Sequence, residues 1–287
     1  MISDRIYAFF LIAGAIAILL AYGARLLTTG PATFDRVSAI GAGALLGPRL
    51  MNAFYWALQP VGNTCIRLGI TANAVTTASV VLGAACGVSL ATGRLGLAAL
   101  LSLLSSSCDA LDGLIARRTK TASETGEVFD AAADRYAEFF FLGGVIVYYS
   151  GHVWAQAVAL AALLGSSMVS YSSAKAESFH VIPPRGSMRR PERAAYLTLG
   201  LALTPLAAVP LASVQGAARI IVSPLFLALI LVAGVANASA IVRLFSIGRE
   251  VEARKKKEAP AQPEWNGNGR TPVDGREGAV PVPEDHP

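Results

Sequence analysis

The sequence predicts an all-α membrane protein, and its composition, the length of its apolar runs and its scarcity of charge support this together. Of the 287 residues, 54% are hydrophobic and only 15% are charged. A mean hydropathy of +0.52 is typical of a membrane protein rather than a soluble domain. The apolar runs approach the roughly 20 residues that an α-helix needs to cross a bilayer. We therefore expect a polytopic helical bundle.

About seven runs are candidates for membrane-spanning helices. They are Ile6–Ala24, Val75–Leu90, Leu95–Ala116, Gly126–Tyr149, Val153–Ala174, Ala194–Ser213 and Ile220–Phe245. The first run is interpreted as a retained span, because no convincing small-residue cleavage site follows it. Between the first two runs, Leu50–Leu68 mixes aromatic with polar residues and is predicted to be an interfacial amphipathic segment, interrupted at Pro60 and Gly62. A simple linker is the alternative for that segment.

Two pairs of aspartates interrupt this apolar pattern. Asp109 and Asp112 are three residues apart, and Asp130 and Asp134 are four apart, so each pair lies on one face of a helix. Ionisable residues within spans are costly and usually face a cavity, form a pair or bind a ligand. Solvated positions at helix ends are the alternative, but Asp109 and Asp112 follow an apolar run within one helix. Four carboxylates brought together offer the oxygen ligands that Mg²⁺ and Mn²⁺ prefer.

Other common sites find little support in the sequence. Cys65, Cys86 and Cys108 show no paired spacing, and the three histidines are scattered, so neither a disulfide framework nor a histidine metal site is indicated. The net charge of +5 would suggest nucleic acid as a partner of a soluble protein. Here the basic residues flank apolar spans, so the anionic cytoplasmic membrane face is the favoured partner and no nucleic acid is expected.

Loop charge predicts the orientation of the bundle. If the spans alternate strictly, one side carries most of the basic residues and the other has only Arg5, Arg94 and Arg219. The basic side holds Arg25, Arg36, Arg49, Arg117, Arg118, Lys120, Lys175, Arg185, Arg189, Arg190, Arg193, Arg249, Arg254, Lys255, Lys256 and Lys257. The positive-inside rule makes that side cytoplasmic and the N-terminus external. The aspartate pairs open on the cytoplasmic side.

The pattern D-x2-D-G-x2-A-R-x8-G-x3-D-x3-D, from Asp109 to Asp134, resembles the signature of the CDP-alcohol phosphatidyltransferase family. Every fixed position is present. The resemblance covers Leu50 to Ile247 and implies a six-span catalytic core preceded by a juxtamembrane amphipathic helix, with one extra N-terminal span. It also implies transfer of a phosphatidyl group from CDP-diacylglycerol to an alcohol, with two divalent cations, Mg²⁺ or Mn²⁺, and a homodimer.

The resemblance implies roles for individual residues. Asp109, Asp112, Asp130 and Asp134 would bind metal, and Asp134 would also act as general base on the acceptor hydroxyl. The nucleotide site would comprise Asp109, Asp112, Gly113, Ala116, Arg117, Gly126, Asn73 and Thr76. A side chain at Gly113 would block close approach of the nucleotide, and Gly126 would let the second acidic helix pack closely. Plain helix packing for Gly113, Ala116 and Gly126, and helix capping around Thr71–Asn73, are the alternatives.

The acceptor is suggested by a second resemblance. Tyr171 to Glu177, followed by Arg190-Pro191-Glu192-Arg193, is similar to the branch of the family that uses inositol phosphate. That likeness implies an acceptor-phosphate pocket of Arg193, Arg243, Lys175 and Ser173. Ser173 and Lys175 stand where the branch often has lysine and arginine, respectively. Myo-inositol phosphate is the leading acceptor, glycerol 3-phosphate is second, and serine or another unphosphorylated alcohol is third.

A non-catalytic membrane scaffold or a cation-binding transporter is the alternative from another class. A transporter is expected to show inverted repeats or broken helices in matching halves, and none is evident. We divide the chain into an extra transmembrane helix with its linker (1–35), a juxtamembrane segment (36–70), a six-helix catalytic domain (71–247) and a basic, then disordered, cytoplasmic tail (248–287). A bacterial inner membrane is the expected location.

Overall fold

The computed structural model describes residues 2–34, 37, 47–182, 184 and 188–258. These residues form nine helices and no strand, so the all-α prediction is confirmed for this part of the chain. The helices are α1 Ile2–Thr28, α2 Pro48–Arg67, α3 Ala72–Ala91, α4 Leu95–Thr119, α5 Glu124–Tyr148, α6 Val153–Ser178, α7 Arg190–Ala207, α8 Ala217–Ile221 and α9 Pro224–Glu258. Predictions for Arg36, Arg185 and the tail beyond residue 258 lie outside the described residues.

Five of these helices, α1, α3, α4, α6 and α9, are long and apolar enough to cross a membrane. The other two predicted spans correspond to α5 and α7, which pack in the same bundle but are more polar. Two boundaries were wrong. Helix α7 ends at Ala207 rather than Ser213, and the last long helix begins at Pro224 rather than Ile220, after the short α8. The N–H at the first position of a helix has no partner within the helix, so proline, which lacks this group, is favoured there. Pro224 therefore favours the start of α9 at this residue.

Helix α2 continues through the break that was predicted at Pro60 and Gly62. Pro60 is exposed, and its ring leaves one backbone carbonyl of the preceding turn without an N–H partner, which the helix tolerates here. Gly62 is buried against the Leu114 side chain of α4, where a Cβ would collide. The Arg118 guanidinium donates to Asn63 Oδ1 and Gln59 Oε1. These contacts dock α2 on the end of α4 that carries the first aspartate pair.

Helices α3 and α5 approach each other at glycines. A Cβ on Gly144 would collide with the backbone of Gly87, and a Cβ on Gly87 would collide with the carbonyl of Phe140. One turn before Gly87 on α3, and closer to the aspartates, a Cβ on Gly83 would lie 3.1 Å from Ala137 of α5. Small residues permit this backbone-to-backbone packing within membranes. It sets the position of α5, and therefore of Asp130 and Asp134, relative to α3.

Hydrogen bonds between helices fix the remaining packing. Ser102 and Thr198 hydroxyls lie 2.7 Å apart between α4 and α7, and Ser105 Oγ donates to the Ser79 carbonyl of α3 at 2.7 Å. Asn237 Nδ2 of α9 donates to the Ala161 carbonyl of α6 at 2.8 Å. Polar groups within a bundle are expected to be paired in this way, since lipid offers no partner.

The end of α9 also supports the segment that leads into α7. Arg254 donates to the carbonyls of Phe179 and His180, at 3.3 and 3.1 Å, just beyond the end of α6. Val181 and Ile247 are buried together nearby. The C-terminal turns of α9 therefore anchor the start of the basic segment that precedes α7.

The glycine contact can be tested with neighbouring residues. Gly144→Ala should reduce the free energy of unfolding by about 1–3 kcal/mol, because its methyl group overpacks the α3–α5 contact. Gly143→Ala, with no atom within 4 Å of the new Cβ, should be neutral or stabilise by up to about 1 kcal/mol. Thermal unfolding of the protein in detergent measures both. Equal losses in the two variants would contradict a specific contact at Gly144.

Candidate active site

The aspartates of α4 and α5 meet at one end of the bundle. One carboxylate oxygen each from Asp109, Asp112 and Asp130 lies within 4.8 Å of the others. Three hard oxygen ligands at this separation fit a divalent cation such as Mg²⁺ or Mn²⁺. The fourth predicted ligand, Asp134, lies one turn further along α5 and is outside this group of three.

Asp112 is held in place by α3 and by its own helix. Its side chain is buried, and Oδ2 accepts a 2.7 Å hydrogen bond from the Thr76 hydroxyl. The Thr76 hydroxyl also contacts the Ala72 carbonyl at 3.1 Å, and Gly113 N donates to Asp112 Oδ1 at 2.5 Å. Thr76 was predicted to contact the nucleotide, but here its hydroxyl is engaged by Asp112 and the backbone. Thr76 therefore lies where it can orient Asp112, a predicted metal ligand.

Asp134 is paired with a residue that the sequence analysis did not assign to the site. Arg190, the first residue of α7, places Nη1 2.6 Å from Asp109 Oδ1 and contacts Asp134 Oδ1 through Nη2. Its side chain bridges the two acidic helices. The signal was present in the Arg-Pro-Glu-Arg run, but the sequence analysis assigned Arg193 of that run to the site, and Arg190 lies three residues earlier on the same side of the helix.

The other predicted nucleotide residues lie around this cluster. A Cβ on Gly113 would lie 3.0 Å from Arg117 Nη1, so the Arg117 side chain folds over the glycine. Ala116 is half-buried, and Asn73 is exposed at the start of α3. Thr71 caps α3, with its Oγ1 accepting from Ala74 N at 3.3 Å. This first turn of α3 therefore has a structural role as well as proximity to Asp112 through Thr76.

Gly126 has a different role from the one predicted. Among the described residues, a Cβ there would meet only the Ser123 hydroxyl, at 3.2 Å, and no neighbouring helix within 4 Å. Gly126 N donates to Ser123 Oγ at 3.1 Å, which caps α5. The prediction that Gly126 permits close packing of α5 is therefore wrong. Glycines 87 and 144 serve that purpose.

Two of the four predicted acceptor-phosphate residues come together. Arg243 Nη2 of α9 donates to Ser173 Oγ of α6 at 3.0 Å. Arg243 Nε is buried and has no hydrogen-bond partner among the described residues. An unpaired buried donor is unfavourable and is normally satisfied by a ligand or water. Arg189 is close enough to Arg243 for their positive charges to interact.

Lys175 and Arg193 do not join that pair. Lys175 is two residues from Ser173 and so points to another side of α6, where its Nζ lies 5.0 Å from the centre of the Phe179 ring. Arg193 is only 1% exposed and donates to both oxygens of Glu138, at 2.8 and 3.1 Å, and to the Met188 carbonyl. All its donor groups are directed into the protein. The expectation that Arg193 faces an acceptor phosphate does not agree with this geometry.

Two cavities lie at opposite ends of the bundle. The larger, about 380 Å³, lies between the start of α1, the α5–α6 turn and α8, and none of Asp109, Asp112, Asp130 and Asp134 lines it. The smaller, about 60 Å³, is bordered by Asp134, Glu138, Arg190 and Ser105. Chemistry rather than size locates the site, because the smaller cavity adjoins Asp134 of the family signature and Arg190.

Residues 69–235 match the family model for CDP-alcohol phosphatidyltransferase, which is more than half of the chain. The chain belongs to the CDP-alcohol phosphatidyltransferase family. The match contains both aspartate pairs and most of the bundle, but not α1. Membership makes the chain a membrane transferase, as predicted.

Curated relatives of the family point to one branch. A phosphatidylinositol phosphate synthase of Corynebacterium glutamicum is 32% identical over 154 residues, which cover 51% of this chain and 69% of that protein. An archaetidylinositol phosphate synthase of Pyrococcus horikoshii is 32% identical over 120 residues, covering 42% and 62% respectively. These relatives support the predicted likeness to the inositol phosphate branch.

Solved structures agree on the fold. The phosphatidylinositol phosphate synthase of Mycobacterium tuberculosis with CDP-DAG bound matches with a TM-score of 0.56 and 23% identity, over 66% of this chain and 92% of that one. The same enzyme in complex with manganese and citrate gives a TM-score of 0.57 at 23% identity, over 66% and 88%. The predicted divalent-metal cofactor agrees with the family, the three clustered carboxylates and the manganese of that neighbour.

The Thr76–Asp112 hydrogen bond can be tested through metal affinity. Thr76→Val removes the hydroxyl that orients Asp112, and we expect Mn²⁺ to bind about 10–100-fold more weakly. Thr76→Ser keeps the donor and should bind nearly normally. Titration of free Mn²⁺ by electron paramagnetic resonance gives both values. Equal affinities in the valine and serine variants would show that the hydrogen bond does not position the ligand.

The buried Arg193–Glu138 pair predicts a non-additive effect on stability. Arg193→Met leaves the partly buried Glu138 without its partner and should reduce the free energy of unfolding by about 3–5 kcal/mol. Adding Glu138→Met removes the uncompensated charge and should restore part of that loss. Thermal unfolding of the single and double variants measures the coupling. Additive losses would mean that the two side chains act independently.

Proposed function

We propose that this protein transfers a phosphatidyl group from CDP-diacylglycerol to a phosphorylated polyol, for which myo-inositol phosphate is the best candidate, and releases CMP. The observation that carries the proposal is the meeting of Asp109, Asp112 and Asp130 within 4.8 Å, beside Asp134 and within the family signature. A bundle that only bound a cation would not need the complete transferase signature that carries these carboxylates, within a region that matches the family model. This distinguishes the proposal from a scaffold or transporter.

The proposed chemistry assigns a role to each aspartate. Asp109, Asp112 and Asp130 would hold a first cation, and Asp134 with Asp109 would contribute to a second. Two divalent cations bound there would neutralise the diphosphate of the nucleotide lipid and stabilise the departing CMP. Asp134 accepts the proton of the acceptor hydroxyl as its oxygen bonds to the lipid-bearing phosphorus. The bond from that phosphorus to CMP then breaks, which leaves the phosphatidylated alcohol.

Gly113, Ala116 and Arg117 lie on the exposed side of the first aspartate pair, and we assign the nucleotide to this surface. The absence of a side chain at Gly113 leaves room beside Asp112, and the Arg117 guanidinium, which folds over it, can contact a phosphate oxygen. Asn73, exposed at the start of α3, borders the same region. Thr76 acts through Asp112 rather than on the nucleotide itself.

A phosphorylated acceptor is favoured by the Arg243–Ser173 pair. The buried, unpartnered Nε of Arg243 supplies a donor for a phosphate oxygen, and Arg189 adds a second positive charge nearby. The inositol-phosphate enzymes among the relatives support inositol phosphate over glycerol 3-phosphate. Because Arg193 and Lys175 point elsewhere, the proposed pocket consists of Arg243, Ser173 and Arg189.

We further propose how the protein is placed in the cell. The active site and the C-terminus lie on the cytoplasmic side of a bacterial inner membrane, and the N-terminus lies outside. Support comes from the basic residues at the aspartate end, including those of α9 from Arg249 to Lys257. We also propose the division of the chain into the four units given above, of which residues 71–247 form the catalytic bundle. A homodimer is expected from the family.

The test is CMP release by the purified, detergent-solubilised protein from CDP-diacylglycerol with Mg²⁺ or Mn²⁺. Inositol phosphate, glycerol 3-phosphate, serine and free inositol are offered singly, and release should depend on inositol phosphate. Release with none of them and no binding of CDP-diacylglycerol would favour a scaffold. Release with glycerol 3-phosphate alone would keep the chemistry and change the acceptor.

Asp134→Asn tests the general base. The amide cannot accept the hydroxyl proton, and we expect turnover to fall by about 10²–10⁴-fold while CDP-diacylglycerol still binds. Initial CMP-release rates and nucleotide-lipid binding are measured side by side. Gly143→Ala, on the same helix and without close neighbours, serves as the control. Turnover near that of the unmodified protein in Asp134→Asn would exclude Asp134 as the base.

A further inference from the structure

We propose that Arg190 occupies the place of a cation between the two acidic helices, and that loading of the second metal ion must displace its guanidinium from Asp109 and Asp134. The inference rests on the proposed two-metal site. It adds a positioning residue, absent from the predicted set, that couples metal loading to the first turn of α7.

The contacts of Arg190 carry the inference. Its two terminal nitrogens contact one oxygen of Asp109, at 2.6 Å, and one oxygen of Asp134. These oxygens belong to the residues that would hold the second ion. A guanidinium that spans two carboxylates satisfies them by charge and by directed hydrogen bonds. The same oxygens cannot hold the guanidinium and a metal ion at once.

The two metal positions differ in how many of their carboxylates Arg190 contacts: Asp109 alone among the three ligands of the first ion, but both Asp109 and Asp134 at the second. Asp109, Asp112 and Asp130 already lie within 4.8 Å of one another, so a first ion can bind without Asp134. The Asp134 carboxylate is outside that group and pairs with Arg190. A second ion must therefore break the Arg190 contacts and overcome the repulsion from its positive charge. We expect the second ion to bind more weakly than the first for this reason.

The backbone at the start of α7 is anchored independently of this bridge. Glu192 accepts a hydrogen bond from Arg189 N at 3.0 Å, and Arg193 is paired with Glu138. The exchange therefore needs only a rotation of the Arg190 side chain, and the helix stays in place. Arg190 in this role orients Asp134 before metal binds.

The first test measures metal binding without substrate. The full-length protein in detergent is titrated with Mn²⁺, and free Mn²⁺ is followed by electron paramagnetic resonance. Arg190→Ala should tighten the weaker binding event by about tenfold, which corresponds to about 1.4 kcal/mol. Arg190→Lys keeps the charge but cannot span two carboxylates, and it should give a smaller gain. Arg189→Ala removes the same charge one residue earlier and is the matched control.

Two outcomes would overturn the exchange. An unchanged or weaker second Mn²⁺ event in both Arg190 variants would show that the guanidinium does not compete with metal. An equal gain in Arg189→Ala would show that general loop charge, and not the bridge, sets the affinity. Because no turnover is needed, failure of the CMP-release assay would disprove the proposed function without deciding the exchange.

A second test uses stability. Without metal, Arg190→Ala should unfold at a lower temperature than the unmodified protein, because Asp109 and Asp134 lose their shared partner. At saturating Mn²⁺ the difference should disappear, because the metal replaces the guanidinium in both proteins. A difference that persists at saturating Mn²⁺ would mean that Arg190 stays on the carboxylates in the loaded site, contrary to the proposal.

Discussion

Mutual repulsion of carboxylates is the constraint on which the aspartate-bearing end of this bundle depends. Two unit charges separated by the 4.8 Å of the aspartate group repel by about 3–4 kcal/mol at an effective dielectric constant of about 20. Asp112 is buried, so water compensates it poorly. The protein supplies compensation through the Thr76 hydroxyl, the Gly113 N–H and the Arg190 guanidinium. Each of these groups comes from a helix position that the fold must keep.

That requirement explains why close packing and catalysis are linked. Thr76 can reach Asp112 only if α3 and α4 are in contact, and α3 is in turn pressed against α5 at Gly87 and Gly144. The glycines therefore set the distance between α4 and α5, the two helices that carry the aspartates. A small shift of α5 would alter the separation of Asp130 from Asp109 and Asp112, and with it the size of ion that fits.

Local patterns predicted the helices and the aspartate cluster because both depend on spacing along one chain. The apolar runs indicate helices, and aspartates three and four residues apart share a face wherever the helices pack. The partner of each basic side chain depends instead on neighbouring helices. Glu138 of α5 binds Arg193, and Phe179 lies beside Lys175, so neither cation joins Arg243. The unbroken α2 is a similar case, because its contacts with Leu114 and Arg118 of α4, which the local pattern does not reveal, lie on both sides of the exposed Pro60.

The start of helix α7 lies between the proposed metal site and the proposed acceptor pocket. Within its first turn, Arg190 contacts Asp109 and Asp134, Glu192 caps the helix and Arg193 is buried against Glu138. The preceding residue, Arg189, lies near Arg243 of the proposed acceptor pocket. One anchored turn thus presents cations to the proposed metal site and to the proposed acceptor pocket. If only the Arg190 side chain exchanges, as we propose, the metal site can change its charge while the acceptor pocket keeps its shape.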